Sequence, residues 1–141
     1  MKRLLAGLAL TALLGAAPSM AFDAAQLQNL YSTGKCFNCD LTFADLSGVD
    51  LSNYDLTGSN LQGANMSGAY LINTVLTGAL LINVDLTGAY LFGANLSGAN
   101  LSGANLTGAY DNNETNMNGV TFCFTTWTDG TVRRDSCPPP A

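Results

Sequence analysis

The sequence contains no histidine. The commonest general base and metal ligand at neutral pH is therefore missing. Basic residues are scarce, five in 141, and two of them, Lys2 and Arg3, stand at the start. Beyond residue 21 only Lys35, Arg133 and Arg134 face ten acidic residues, a net charge of −7. A chain so acidic does not hold a phosphate backbone, so nucleic acid is not an expected partner. There is one uncharged apolar run of any length, Leu4 to Ala17, and it is too short to span a bilayer comfortably.

That run lies between the basic Met1-Lys2-Arg3 and the segment Pro18-Ser19-Met20-Ala21, where Ser19 and Ala21 are small residues suited to a cut after Ala21. The pattern is that of a secretory signal peptide over residues 1–21. A membrane anchor is the competing reading. No cysteine lies near the cut, which argues against a lipid-anchored form. The mature chain is expected to begin at Phe22 and to be exported to a periplasm, a thylakoid lumen or the outside, with no membrane insertion after cleavage. Cys36, Cys39, Cys123 and Cys137 all lie beyond the cut, and an even count in an exported chain suggests disulfides.

What the chain has in abundance is a period of five. Leucine recurs from Leu41 to Leu106 at every fifth position, broken only by Met66, over fourteen units spanning residues 39–108. Such spacing fits neither a helix nor a strand. Two residues before the leucine the side chain is small, as in Ala44, Ala64, Ala94 and Ala104; one before, Asp or Asn is frequent; one after, Ser or Thr. Two after stands Gly in ten units and Asn in three (Asn53, Asn73, Asn83), with Phe43 the exception. Gly and Asn accept the positive φ of turns. The chain therefore turns once per unit, with the leucine and the small residue pointing inward. Four turns close a coil of twenty residues, and stacking at about 4.8 Å makes the array roughly 17 Å long.

Units such as Ala94-Asn95-Leu96-Ser97-Gly98 and Ala99-Asn100-Leu101-Ser102-Gly103 resemble the pentapeptide-repeat family. The resemblance implies an all-β fold, a right-handed quadrilateral β-helix. Departures from the pattern are Tyr54, large for an inward position, and Val75 and Leu80, apolar at outward ones. Cys36-Phe37-Asn38-Cys39-Asp40-Leu41 resembles the usual entry into such arrays. The stretch from Phe122 to Cys137, with cysteines around Asp129-Gly130, resembles a tail often seen after them.

An open solenoid end exposes leucine and unpaired edges, so caps are expected. Over residues 22–38 the period changes: Ala24, Leu27, Leu30 and Tyr31 share a helical face, with Asp23 as N-cap and Gly34 as stop. This predicts a short capping helix; an amphipathic helix that binds a partner fits the same residues. Residues 109–141 form the other end, where Asp111 replaces the next leucine and the repeat decays into degenerate units around Met117 and Phe122. The cysteines sit at the two ends as structural disulfides or inert thiols. Three pairings are possible, and the array's length favours the local ones, Cys36–Cys39 and Cys123–Cys137, unless the tail folds back along the rod. A redox or zinc role for Cys36-x-x-Cys39 lacks the surrounding elements or further ligands.

No nucleophile–base pair, metal set or phosphate loop stands out, so neither an enzyme nor a cofactor is expected. Asp40, Asp45, Asp50 and Asp55 would form an outward acidic collar on the first coil, one per side, too dispersed for a calcium ion. Two functional classes remain. One is a protein-interaction or structural scaffold, expected to be monomeric, with an unidentified protein partner. The other is an acidic DNA mimic of the kind some family members use against DNA gyrase; beyond Asp55 only Asp85 is an outward acid of the array, and export disfavours this reading. Counting by twenty places Tyr70, Tyr90 and Tyr110 in one outward column, flanked by Ile72 and Phe92. This is the candidate partner surface; a ladder that merely stabilises neighbouring coils is the alternative. Mass measurement of the protein from an envelope extract is expected to give a chain starting at Phe22; an intact Met1 in a cytoplasmic fraction would overturn the export reading.

Overall fold

The computed structural model describes residues 22–140. The expected signal peptide, 1–21, lies outside the described residues. The chain winds as a β-helix held by single parallel residue pairs, each joining an outward residue to the one twenty positions on: Asp40 to Asn60, Asn60 to Leu80, Leu80 to Asn100. Every such pair uses both backbone groups. Leu41 N–H donates to the Asn60 carbonyl at 2.8 Å, and Asn60 N–H donates to the Cys39 carbonyl at 2.8 Å. A third bond ties each corner to the next, as from Gly48 N–H to the Ser67 carbonyl at 2.8 Å. The outward pairs involve only main chain, so they tolerate any outward residue that has an N–H and demand a constant circumference.

The inward residues follow from that circumference. From Leu41 to Leu106 the leucines, with Met66, are fully buried, as are most of the small residues two positions before them. Burying each leucine stabilises the fold by about 1.5–3 kcal/mol. Where the small inward residue is polar, its hydroxyl bonds to main chain one coil back. Thr74 Oγ1 donates to the Leu51 carbonyl at 2.8 Å, and Ser59 Oγ donates to the Cys36 carbonyl at 2.6 Å. Tyr54, the large inward residue, is buried as expected.

The coils reach further than the leucine pattern. At the start, Lys35 pairs with Asp55, and Cys36 occupies a leucine position in the core. At the end, Asn95 pairs with Asn116, Asn100 with Thr121 and Asn105 with Thr126, a spacing of 21. One extra residue enters between Tyr110 and Asn116, so the repeat continues out of register. Asp111 is exposed instead of central, and Phe122 and Trp127 take the places of leucines. The extra residue is accommodated by a loop over the coil below: Thr115 Oγ1 donates to the Leu91 carbonyl at 2.8 Å, and Gly93 N–H donates to Asn112 Oδ1 at 3.2 Å.

Helix α1, Ala24–Thr33, lies against the first coil. Asp23 accepts the amides of Ala25 and Gln26, and Gly34 ends the helix at φ 71°. Leu27 and Leu30 join the core, whereas Ala24, expected on the same face, is exposed, because Asp23 N–H bonds the Asp40 carbonyl and sets the first turn at the rim. Gln26 Oε1 accepts the Asp40 amide at 2.6 Å, which satisfies an edge donor of the first coil. The other end carries a two-stranded hairpin, β1 (Thr125–Thr126) and β2 (Val132–Arg133). Its turn is held by Asp129, whose carboxyl the Thr131 hydroxyl and amide bonds keep below the ordinary range.

Corners take positive φ at Gly and at Asn53, Asn73 and Asn83, as the sequence pattern predicts, and Phe43 is held there too, at φ 58°. For a bulky residue this conformation costs on the order of 1–3 kcal/mol. Consecutive corners are coupled. A Cβ on Gly63 would lie 2.3 Å from the Phe43 ring, and one on Gly58 would lie 2.1 Å from Asn38 Oδ1, whereas one on Gly68 would meet nothing within 4 Å. Gly58→Ala is therefore expected to destabilise more than Gly68→Ala. The second substitution carries only the penalty of positive φ, about 1 kcal/mol. Equal shifts in denaturant midpoint would refute the coupling.

Tyr31, on α1, carries a buried hydroxyl without a hydrogen-bond partner among the described residues. Burial, aided by the charges of Tyr54 and Asp45, pushes its phenol up from 10.0 to about 12. Between those values the unfolded chain releases a proton that the folded chain keeps, so stability falls as pH rises from about 10 to 12. Tyr31→Phe is expected to weaken this alkaline loss. At neutral pH the variant should melt no lower than the parent, since it removes an unpaired polar group. A lower melting temperature at pH 7 would contradict this reading of Tyr31.

Candidate partner-binding face

Outward positions, Val75 and Leu80 apart, are of two kinds in the leucine array. Where Asn or Asp stands one before the leucine, its Oδ1 accepts the amide two residues on and, in most cases, the hydroxyl there as well. Asn65 accepts Ser67 N–H at 3.0 Å and Ser67 Oγ–H at 2.7 Å; Asp85 accepts the Thr87 amide at 2.9 Å. Oδ1 is common to both residue types, so Asn serves as well as Asp. The frequent Asp/Asn of the sequence is thus a local turn device. The expected acidic collar is corrected at one point. Asp50 is buried, at 7 % exposure, and its pairing residue in the next coil is Tyr70, a bulky ring where the other first-coil acids meet Asn60, Asn65 or Val75.

Tyr70, Tyr90 and Tyr110 are the second kind. They pair in sequence, Asp50 to Tyr70, Tyr70 to Tyr90 and Tyr90 to Tyr110. Their rings stack with centroids 4.7 Å and 4.8 Å apart and planes within 3° and 11° of parallel. That spacing is imposed by the coil repeat. Tyr70 is 41 % and Tyr110 51 % exposed, while Tyr90, sandwiched between them, is half-buried. Beside the column Phe92 tilts against Tyr90, with centroids 6.4 Å apart, and Ile72 is half-buried one coil below. The five residues singled out by counting thus share one side of the solenoid. Leu80, 39 % exposed, pairs with Asn60 and Asn100 in a different column.

The loop beside the top of this column carries acids that the sequence pattern did not assign to the face. Asp111 follows Tyr110 directly. Glu114 is held by Asn112, whose Nδ2 donates to Glu114 Oε2 at 3.3 Å and whose Oδ1 accepts the Gly93 amide. The tail hides a second aromatic group. Arg133 lies 4.1 Å from the Phe122 ring centre and 4.9 Å from that of Trp127, and Arg134 lies 4.7 Å from that of Phe124. Nothing in the five-residue pattern signals these contacts, because the tail meets the last coil only in the folded state.

The cysteines are joined as Cys36–Cys39, with Cα atoms 5.5 Å apart, and Cys123–Cys137, at 4.5 Å. The first pair lies in the core of the first coil and the second fastens the tail to the last coil. Among the described residues no group of three or more Cys, Asp or Glu could hold a metal ion, and no helix is long and apolar enough to cross a membrane. An open cleft of about 500 Å³ lies between the end of α1 and the next coil, lined by residues including Tyr31, Lys35, Tyr54 and Asp55.

Comparison with known proteins finds the family described as pentapeptide repeats in 8 copies, over residues 35–71 and 69–108. No curated protein matches the sequence. Among solved structures, a pentapeptide repeat protein from the thylakoid lumen of Arabidopsis thaliana is 33 % identical, with 72 % of this chain and 71 % of that one covered and a TM-score of 0.66. HetL, a pentapeptide repeat protein involved in heterocyst differentiation regulation from the cyanobacterium Nostoc, is 32 % identical over 70 % of this chain and 51 % of its own, with a TM-score of 0.34. Rfr23 from the cyanobacterium Cyanothece is 29 % identical over 73 % and 97 %, with a TM-score of 0.35. The coil of twenty, its leucine core and the matched repeats agree: the chain belongs to the pentapeptide-repeat family.

Proposed function

We propose that this protein is an exported, non-catalytic scaffold that engages a protein partner through the Tyr70–Tyr90–Tyr110 face. The observation that carries the reading is the contrast between outward positions. Asn and Asp residues spend their acceptors on their own turns, whereas the tyrosine column, with Ile72 and Phe92, leaves aromatic surface in water. Exposed aromatic strips are frequent interface anchors. The finer description of the fold, a right-handed quadrilateral β-helix with α1 and the tail as its two caps, belongs to the same proposal. It gives the face a rigid backing and closes both open ends. Export to a periplasm, a thylakoid lumen or the outside is supported by the charge and apolar pattern of residues 1–21, by four cysteines joined in pairs, and by the lumenal origin of the Arabidopsis relative.

The competing role of the column is mechanical, since stacked rings also tie coil to coil. Tyr70→Ser combined with Tyr90→Ser separates the two. A photo-crosslinker at Phe92 in intact cells is expected to capture a partner that a crosslinker at Asn65 does not. The double variant should lose that partner while keeping most of its thermal stability. A variant that melts far lower yet still captures the partner would reduce the column to a ladder.

A further inference from the structure

We propose that the tyrosine face takes arginine side chains from a basic segment of the partner protein, with Tyr110 as the stacking platform and Glu114 and Asp111 as the charge partners. This rests on the reading of the face as a partner site and names the chemistry it selects. The molecule has two aromatic groups near its C-terminal end. One is already occupied by the chain itself: Arg133 stacks on Phe122 and Trp127 while its Nη2 holds Asp135 Oδ2 at 2.6 Å, and Arg134 covers Phe124. A ring face with a carboxylate alongside is the arrangement that holds a guanidinium here.

The second group has the same parts without the cation. Tyr90 sits between two rings, but Tyr110 ends the stack: it stacks on Tyr90 and is 51 % exposed. The loop that follows it presents Asp111 and Glu114, both exposed, and Asn112 ties Glu114 to the coil beside Phe92. At the foot of the column lies another carboxylate, Asp50. No cation of the described chain can complete this face. Arg133 and Arg134 are engaged at the tail, and Lys35 belongs to a different column, paired with Asp55. The missing cation has to come from another molecule. A second copy is a poor source, because its arginines are engaged in the same way. A planar guanidinium suits the ring better than an ammonium, since it stacks and pairs with a carboxylate at once.

The test uses the full mature protein and fluorescent decapeptides of alternating arginine and glycine, lysine and glycine, or glutamate and glycine, at about 0.15 M salt so that diffuse attraction is screened. The arginine peptide is expected to bind more tightly than the lysine peptide, and the glutamate peptide not at all. Tyr110→Ser and Glu114→Gln should each weaken arginine-peptide binding roughly three- to tenfold, the range of a partly exposed cation–π or ion contact. Asp45→Asn with Asp85→Asn removes two charges from another side and keeps their Oδ1 acceptors, so it should change little. Equal binding of the lysine peptide would overturn the proposal, as would an equal loss in the Asp45/Asp85 variant, which would mean diffuse charge attraction only. Loss of binding in Tyr110→Ser counts in favour only if its melting temperature stays near that of the parent; if it melts much lower, Glu114→Gln alone decides. If the crosslinked partner depends on Tyr70 and Tyr90 while no arginine peptide binds, the chemistry is wrong and the partner face stands. If neither holds, both fail.

Discussion

Everything in this molecule depends on one constraint: each coil must have the same circumference as its neighbours. The backbone ladder joins outward residues twenty apart through paired N–H and C=O groups, and these pairs leave little room for a mismatch. The repeat of twenty residues per coil follows from it. So does the choice of corner residues, since a turn at every fifth position needs positive φ at every fifth position. A one-residue insertion cannot be hidden in such a ladder. Where it occurs, between Tyr110 and Asn116, the extra residue is pushed into a loop and the next coil resumes at a spacing of 21.

The same constraint divides the side chains into two populations. Inward positions have room for a leucine and a small residue, and a buried hydroxyl is tolerated only because a main-chain carbonyl lies within reach, as for Thr74 and Ser59. Outward positions are unconstrained by the ladder, and most are taken by Asn or Asp, which close the local turn. A residue that does not serve the turn at such a place must be justified otherwise. Tyr70, Tyr90 and Tyr110 replace the turn bond with ring stacking at the coil spacing. The column therefore stabilises and presents a surface by the same contacts, and the two roles separate only at its open end.

The ends show what happens where the repeat meets no further coil. At the start α1 supplies Leu27 and Leu30 to the core and a Gln26 acceptor to the edge. At the finish the tail returns across Phe122 and Trp127, fastened by Cys123–Cys137 and by Arg133. Both ends carry a disulfide, and in neither does the segment beyond the coils continue the five-residue repeat, because a further repeat would only present a fresh edge.

The sequence by itself determined the coil. A strict period of five, with one chemistry per position, specifies which side chains are inward, where the chain turns and which outward residues share a column, because all of these are properties of neighbours at fixed separations. For that reason Tyr70, Ile72, Tyr90, Phe92 and Tyr110 could be grouped by counting. Tertiary structure decided the rest. The degenerate units around Met117 and Phe122 were legible, but that they resume one residue out of register depends on which carbonyls Thr115 and Asn116 find. That Arg133 and Arg134 lie on Phe122, Trp127 and Phe124, leaving Tyr110 without a cation of the described chain, depends on how the tail returns. None of these is periodic, and a contact made once, between segments that meet only after the coils have stacked, leaves no repeat to read.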